Sequence, residues 1–480
     1  MLLRASLIAL ITFIGMGGQF LIRAVLTSHL GPGSQLDIFF LTLGWAGALA
    51  SAVFLAVALV HAPQTVGAGA TPAMRGLSRR TTLLLTIATT LAAGLAALVV
   101  AIIGHAAASG VVLLVLLGWG VAGGLALFQR QLLLAWGLPF TPALLALIPA
   151  AAILGLAWCR VIEGISGYAL VGCLAWMLVA GAGGALLWRA WHRHGVAVAA
   201  DPQPGALRRL LTAAAPVFVA NWNSQANQRS QDALAAMAFA GGATVFGNAY
   251  ALARLPQTIA DAMFSSTAYA SILKAVATAD TVGLRVAYRL GLRVHLAVSV
   301  PVAGAVVLAG DAATQAVFAH GNCTIEDTRA IATVLWWTAP GMIITSLQSV
   351  HAQVLLAHGR TAAVLRVELA FTILSIVFAA TLLPFLGLSG IVIGGTVAFI
   401  IIQVPMLRLL AATGLRWQDA LAELLRACLP LMPALLLGGW VGHLAGSSPW
   451  ARALVVGATV LAVTLPCSAW AVRRLRQVGR

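Results

Sequence analysis

Runs of about 20 apolar residues recur along this chain from one end to the other, each long enough as a helix to cross a hydrocarbon core of roughly 30 Å. No other feature constrains the fold as strongly, because hydrocarbon offers no water to a backbone N–H or C=O. Only helices and closed barrels satisfy those groups internally. A barrel needs short segments of alternating polarity, and the chain has none. Composition agrees: of 480 residues 61% are hydrophobic and 8% charged, with a mean hydropathy of +0.99. A soluble domain with this balance would expose apolar patches over most of its surface. The sequence therefore predicts an all-α polytopic membrane protein.

Fourteen spans are expected: Ala5–Thr27, Ile38–Val60, Thr81–Gly104, Val111–Phe128, Phe140–Trp158, Ser166–Trp188, Ala206–Ala238, Thr244–Tyr269, Gly291–Leu308, Ile331–Leu356, Ala363–Leu383, Leu388–Leu410, Leu425–His443 and Ala451–Val472. The longest break, Leu273 to Leu290, reads as a basic amphipathic helix lying on a membrane face. The first span has a long apolar run and no small-residue cleavage site, so it reads as retained rather than as a signal peptide.

Basic residues set the orientation, since Lys and Arg accumulate on the cytoplasmic side. With the N-terminus inside, 22 of the 28 Lys and Arg residues fall in cytoplasmic connections and termini. The opposite connections "SHLGPGSQ", "HAAASG", "GGATVFGN" and "LPFLGLS" carry no formal charge. Both termini are therefore expected in the cytoplasm. The net charge of +16 follows from this topology signal and from attraction to anionic lipid. No soluble basic face is left for nucleic acid. Cys159, Cys173, Cys323, Cys428 and Cys467 form no CxxC pair and no metal spacing. Cys159 and Cys323 both fall near the outer face, where a bridge between them is one reading and single buried thiols the other. "HRH" at His192–His194, beside Trp191, reads as an interfacial anchor rather than a metal tract. Walker, HExxH and Ser/His/Asp signatures are missing, so neither an ATPase nor a conventional hydrolase is indicated.

Charge inside the spans is the informative remainder. A charged side chain at the bilayer centre costs roughly 2.5–3.5 kcal/mol, so it faces a partner or a wet cavity. The candidates are Arg23, Asp37, Arg229, Asp232, Arg254 and Asp261, in spans 1, 2, 7 and 8. Spans 3 to 6 and 9 to 12 read as nearly free of charge except at their ends. Spans 1 and 2 open one six-helix half, spans 7 and 8 the other, and each pair is joined by a short Gly-containing turn, "GPGS" or "GGAT". A duplicated unit explains this pattern: an N-terminal lobe over residues 1–200, a second over 201–415, and two additional C-terminal spans over 416–480. Span 7 carries "NWNSQANQRSQD", in which Asn221, Gln225, Gln228 and Asp232 share one helical face. Arg229 and Asp232, three residues apart, can pair. The stretch is expected to line an aqueous cavity between the halves, the alternative being interhelical glue.

Three passages resemble the MurJ/MviN-type flippases of the MOP (multidrug/oligosaccharidyl-lipid/polysaccharide) superfamily: "HLGPGSQLDIFFLTL", with Asp37 on the family's characteristic Asp, "FGNAYALARLPQTIADAMFSSTAYASI", and the long segment from "AVFAHGNCTIEDTRAIATVLWWTAPG" to "IVIGGTVAFII". The resemblance covers nearly the whole chain. It implies a MATE-like fold, two six-helix lobes related by pseudo-two-fold symmetry plus two extra helices, in a bacterial inner membrane. It implies no catalysis and no cofactor, a coupling proton or sodium ion aside. The implied partners are a polyprenyl-diphosphate-linked saccharide, membrane lipid and glycan-assembly enzymes. Arg23, Arg229 and Arg254 suit a diphosphate, which a planar guanidinium binds in a bidentate way.

Departures from the family's pattern are substantial. Met16 stands where lipid II flippases carry an Arg, Ala50 and Ser51 replace an Arg pair, Ala251 replaces a further Arg, and Ser375 and Ala379 stand where polar Asn residues are usual. Either the diphosphate clamp is rebuilt from the three arginines or the headgroup differs. A divergent relative handling a polysaccharide precursor is the leading expectation, with lipid II itself second. A MATE-like cation-coupled drug antiporter using Asp37, Asp232 or Asp261 is a third reading, and a membrane-embedded glycosyltransferase the last. The topology carries its own test. A cysteine at Gly321, in the outer Asp311–Arg329 loop of a cysteine-free variant, should react with an impermeant reagent from outside, and one at Gly76 should not. The reverse pattern would overturn the orientation.

Overall fold

A computed structural model describes residues 17–66 (19 apart), 110–135, 144–158 (146 apart), 164–193 and 206–478 (447 apart). Span 3, Met16, Gly76, Cys159 and His194 lie outside the described residues. Among the described residues every regular element is a helix. Seven of these helices are long and apolar enough to cross a membrane. The chain divides into two compact units, Met1–Leu26 with Pro32–Ala236, and Thr27–Gly31 with Met237–Arg480.

The first unit contains the start of α1 (Phe20–Leu30), α2 (Ser34–Val66), α3 (Gly110–Ala135), α4 (Leu147–Trp158), α5 (Gly164–Arg193) and α6 (Ala206–Ala238). Small residues draw α2 and α3 together. A Cβ on Gly120 would lie 2.9 Å from the Ala46 carbonyl carbon, and one on Gly124 would lie 2.7 Å from the Ala50 Cβ. Lipid tails are as apolar as the side chains, so close backbone approach supplies the packing that water would otherwise drive. Phe54, Phe128, Leu132, Leu187 and Leu210 fill the core that results.

The second unit runs α7 (Gly242–Thr267), α8 (Tyr269–Ala277), α9 (Thr281–Phe318), α10 (Ile325–Ala357), α11 (Thr361–Leu386), α12 (Leu388–Ala411), α13 (Trp417–Cys428), α14 (Leu431–Leu444) and α15 (Pro449–Val478). Asp280 caps α9 by accepting the Gly283 N–H, and Thr324 with Asp327 forms a capping box at α10. Residues 27–31 are pinned to this unit: Asn322 donates from its backbone to the Ser28 carbonyl at 2.7 Å and from its side chain to the His29 carbonyl at 2.6 Å. The Asn248 amide donates to Thr27 Oγ1 at 2.9 Å. The two Gly-containing turns adopt the same left-handed backbone, Gly31 at φ 73° and Gly241 at φ 98°, a region that favours glycine.

Several expectations change. The break from Leu273 to Leu290 is not one surface helix: α8 ends at Ala277, and from Thr281 the chain already belongs to α9, a helix of 38 residues. The loop expected over Asp311–Arg329 shrinks to Ala319–Thr324, because α9 continues past a kink at Ala309 to Phe318. Gly321 there has φ 61°, and a Cβ would lie 2.3 Å from the Ser28 carbonyl oxygen, so exposed Glu326 is the better probe position for the topology test. Span 13 is interrupted at Leu429 and Pro430, which separate amphipathic α13 from α14. Cys323 is a free buried thiol, pushed up to about 12 by desolvation and by nearby Asp327, and is not bridged to Cys159.

The break in span 13 has a physical reason. Asp419 and Glu423 lie one turn apart on the inner face of α13, against Arg285, Arg289 and Arg293 spaced one turn apart on α9. Arg285 grips Asp419 in a bidentate way at 2.7 and 2.8 Å. Glu423, 2% exposed, accepts from Arg289, Arg293 and Arg426. Trp417, Leu421 and Leu425 cover the opposite, exposed face. Removing one partner of a buried ion pair strands the others, so Glu423→Ala should cost about 3 kcal/mol of stability. Arg426→Ala, at a side chain 53% exposed, should change little, because Arg289 and Arg293 still hold Glu423. Thermal unfolding in detergent checks this; an unchanged Tm for Glu423→Ala would show that the ladder does not hold α13 to α9.

Candidate functional site

The polar stretch Asn221–Asp232 is neither loop nor kink: α6 runs through it unbroken from Ala206 to Ala238. Ala, Gln and Arg favour helix, no glycine interrupts the segment, and a membrane-embedded backbone has no better partner than its own i−4 carbonyls. Neither α6 nor α7 is among the seven apolar spanning helices, because their polar residues lower their hydropathy.

In the first unit a cavity of about 340 Å³ opens between α1, α2, α3 and α6. Its polar lining is Arg23, Ser51, Gln225 and Arg229, with Phe40 and Trp119 as aromatic walls. Arg23 lays its guanidinium over the Phe40 ring, 4.0 Å from the centroid, a cation–π contact that holds the charge without neutralising it. Arg229 donates from Nη1 to Asp232 Oδ2 at 2.7 Å. Its buried Nε has no hydrogen-bond partner among the described residues. Gly44 makes room for this side chain, since a Cβ there would lie 2.7 Å from Nη1 and 3.0 Å from Cζ of Arg229.

Arg23, Asp37, Arg229 and Asp232 lie within electrostatic range of one another. Their formal charges cancel, so an incoming anion must compete with Asp232 for Arg229. Asp37 is buried in the first turn of α2, where the helix dipole favours a carboxylate. One turn from Gln225, Trp222 stacks on Phe218 at 6.3 Å and lies 6.0 Å from Trp45.

The second unit holds the other candidates. Arg254 sits over the Tyr250 ring at 5.3 Å. Asp261 accepts from Ser349 Oγ at 2.9 Å and lies 3.6 Å from His295 Nε2. Nearby, the Gln348 amide donates to Glu368 at 2.9 Å, the Gln403 amide donates to Gln348 at 3.0 Å, and Gln403 Oε1 meets His351 Nδ1 at 3.1 Å. Ala379 packs so tightly on α12 that a Cβ on Gly394 would lie 2.6 Å from its backbone nitrogen.

Of the residues singled out in the sequence, Arg23, Gln225 and Arg229 meet in one cavity, with Asp232 bound to Arg229. Asn221 and Gln228 share α6 but not the cavity lining, and the Asn221 amide nitrogen is buried without a partner. The reading of spans 9 to 12 as nearly free of charge missed His295, Gln348, His351, Glu368 and Gln403. Counting His and amide residues along with formal charges would have found them. Substitution of Gly44 isolates the pair: Gly44→Ala should leave the protein folded while shifting Arg229, cutting transport more than Gly47→Ala, where a Cβ meets nothing within 4 Å. Equal activity of the two variants would show that the Arg229 position is unimportant.

Three comparisons bear on this geometry. A family model described as "Lipid II flippase MurJ" matches residues 78–463. No curated protein matches by sequence. Among solved structures, "Lipid II flippase MurJ, inward closed conformation" is similar with a TM-score of 0.74 and 15% identity, over 98% of this chain and 99% of that one. An inward-facing multidrug resistance MATE family transporter of the MOP superfamily is similar with a TM-score of 0.67 and 17% identity, over 82% of this chain and 95% of that one. A MATE in complex with MaL6 gives 0.62 and 19%, over 86% and 97%. The structural likenesses establish the all-helical MOP-type fold, and the family model, covering most of the sequence, carries the assignment: this chain belongs to the lipid II flippase MurJ family.

Proposed function

We propose that this protein is a flippase that moves a polyprenyl-diphosphate-linked saccharide from the cytoplasmic to the outer leaflet of a bacterial inner membrane by alternating access. The observation that supports it best is the meeting of Arg23, Arg229 and Gln225 in one cavity. Two guanidinium forks suit diphosphate oxygens, and amides beside Trp222 and Trp45 suit a sugar. The polyprenyl tail stays in the bilayer. Glycan-assembly enzymes would deliver the substrate, and a proton or sodium ion would drive the cycle.

A polysaccharide precursor is favoured over lipid II. Ala50, standing where the resemblance implies an Arg, is 0% exposed and packed against Gly124, so its place belongs to helix packing and has no room for a guanidinium. On this reading the clamp consists of Arg23 and Arg229 in the first unit, and Arg254, in the second unit, is proposed separately as a headgroup ligand.

Reconstitution with a fluorescent polyprenyl-diphosphate saccharide tests this, run beside ion-driven dye efflux. Arg229→Lys should slow lipid movement about tenfold or more, the loss expected when a charge-assisted hydrogen bond of ~1.5–3 kcal/mol goes while the charge stays. Arg254→Lys is judged in the same way. Replacing both Arg229 and Asp232 by Leu should preserve folding, since a buried ion pair is often dispensable for stability, yet abolish transport. Full transport by the double variant would remove Arg229 from the site. Buried Asp232 favours one other reading, a cation-coupled drug antiporter. In that case dye efflux would be robust, lost in Asp232→Asn, and lipid movement nil.

A further inference from the structure

His295, in the middle of α9, is 0% exposed, and neither ring nitrogen has a hydrogen-bond partner among the described residues. A buried imidazole without partners is costly, so its surroundings explain its presence or nothing does. They consist of the Phe264 ring at 5.2 Å and the Asp261 carboxylate at 3.6 Å from Nε2. The two halves of this pair differ in access: the Asp261 side chain is 48% exposed and the imidazole is sealed. Ser349 on α10 donates to the same carboxylate oxygen, so three helices of the second unit meet at the pair. Ser299, one turn beyond His295 on α9, is also buried, with its hydroxyl unpartnered among the described residues.

We propose that Asp261 and His295 form a proton-binding site, the exposed carboxylate taking a proton from water and sharing it with the buried imidazole. With His295 neutral and Asp261 ionised the pair carries one negative charge. A proton arriving on Asp261 neutralises it. Transfer then breaks the carboxyl O–H bond and forms an N–H bond on Nε2, giving a carboxylate–imidazolium pair of the same zero net charge. The distance of 3.6 Å is a small side-chain rotation away from hydrogen-bond contact. Loading the site therefore changes the net charge of the pair between α7, α9 and α10, and charge is what a membrane interior tolerates least.

Other titratable groups face the neighbouring elements, and among them the Tyr288 hydroxyl and His351 Nε2 are buried without a hydrogen-bond partner among the described residues. Tyr288 on α9 lies within electrostatic range of Asp419 from α13 and stacks near His351 of α10 at 5.9 Å. Glu368 on α11 is bonded to Gln348. Tyr269 of α8 packs on Phe264, and Arg254 lies two turns before Asp261 on α7. Asp261 is the charged group that acts on His295.

As the device that drives transport, the site rests on the flippase reading, so the test has an arm without substrate. In the purified protein with ¹⁵N-labelled histidine, the His295 resonance, assigned by its loss in His295→Gln, should titrate between roughly pH 4 and 9, and its midpoint should move in Asp261→Asn. A resonance fixed over that range, or one indifferent to Asp261→Asn, would overturn the site. In liposomes of phosphatidylethanolamine and phosphatidylglycerol, a one-unit pH difference should change the movement of a fluorescent polyprenyl-diphosphate monosaccharide by up to roughly tenfold, the ratio of proton activities. Asp261→Asn and His295→Gln should abolish that response. Lipid movement equal with and without the gradient would overturn coupling through the pair. If the wild type moves no lipid, the flippase reading fails, and the titration alone decides the site.

Discussion

A polar group in hydrocarbon has no solvent to bond with, and this constraint orders the rest of the structure. It keeps the described chain helical, so that backbone bonds close within each segment. Pro216, Pro256, Pro301, Pro340, Pro384 and Pro405 sit inside helices, which requires neighbouring helices, hydroxyl side chains or local adjustment to satisfy the carbonyls they free. The same constraint makes each internal charge informative, because each must be bonded, shielded or wet.

Two solutions to that demand stand side by side. Glu423 is surrounded by Arg289, Arg293 and Arg426, and its oxygens are saturated with donors. Such a group fixes α13 to α9 and has nothing left for a ligand. Arg229 has one bond to Asp232, a buried Nε without a partner and a face on the cavity. Incomplete bonding separates a group that can act from one that only holds. Between these limits the histidines differ in degree: His351 has Nδ1 on Gln403 and a buried Nε2 without a partner among the described residues, and His295 has neither nitrogen bonded among them.

Much of the fold was legible because its signals are local. Span length follows from a fixed bilayer thickness and a fixed rise per residue, and the expected Ala206–Ala238 helix coincides with α6. Signals that depend on distant partners were not legible. Span 13 was read from its apolar run alone, and the break at Pro430 makes sense only once Asp419 and Glu423 find arginines about 130 residues earlier in the chain. At the site, charge in an apolar helix marked Arg23 and Arg229, and the i, i+3 spacing marked Asp232. Gly44 and Trp119 gave no warning, because a glycine that admits a guanidinium looks in sequence like any other small residue in a membrane helix. Gln225 and Arg229 line the cavity, whereas the amphipathic face had grouped Gln225 with Asn221 and Gln228. Helical periodicity gives an angle but not the neighbour at that angle.

The cancelling charges around Arg23 and Arg229 bear on how a diphosphate would be handled. A cavity holding two unopposed guanidinium groups in low dielectric would bind such an anion tightly and release it slowly, since each charge-assisted bond there is among the strongest a protein makes. A carrier must let go of its substrate on the far side. Asp232, held 2.7 Å from Arg229, would supply an internal competitor: on the proposed reading, headgroup entry would break the Arg229–Asp232 bond and headgroup exit would restore it. The difference between bound and empty states is then smaller than the strength of either set of contacts. Arg23 differs from Arg229 in that its guanidinium also lies over the face of Phe40, a contact that leaves its charge in place.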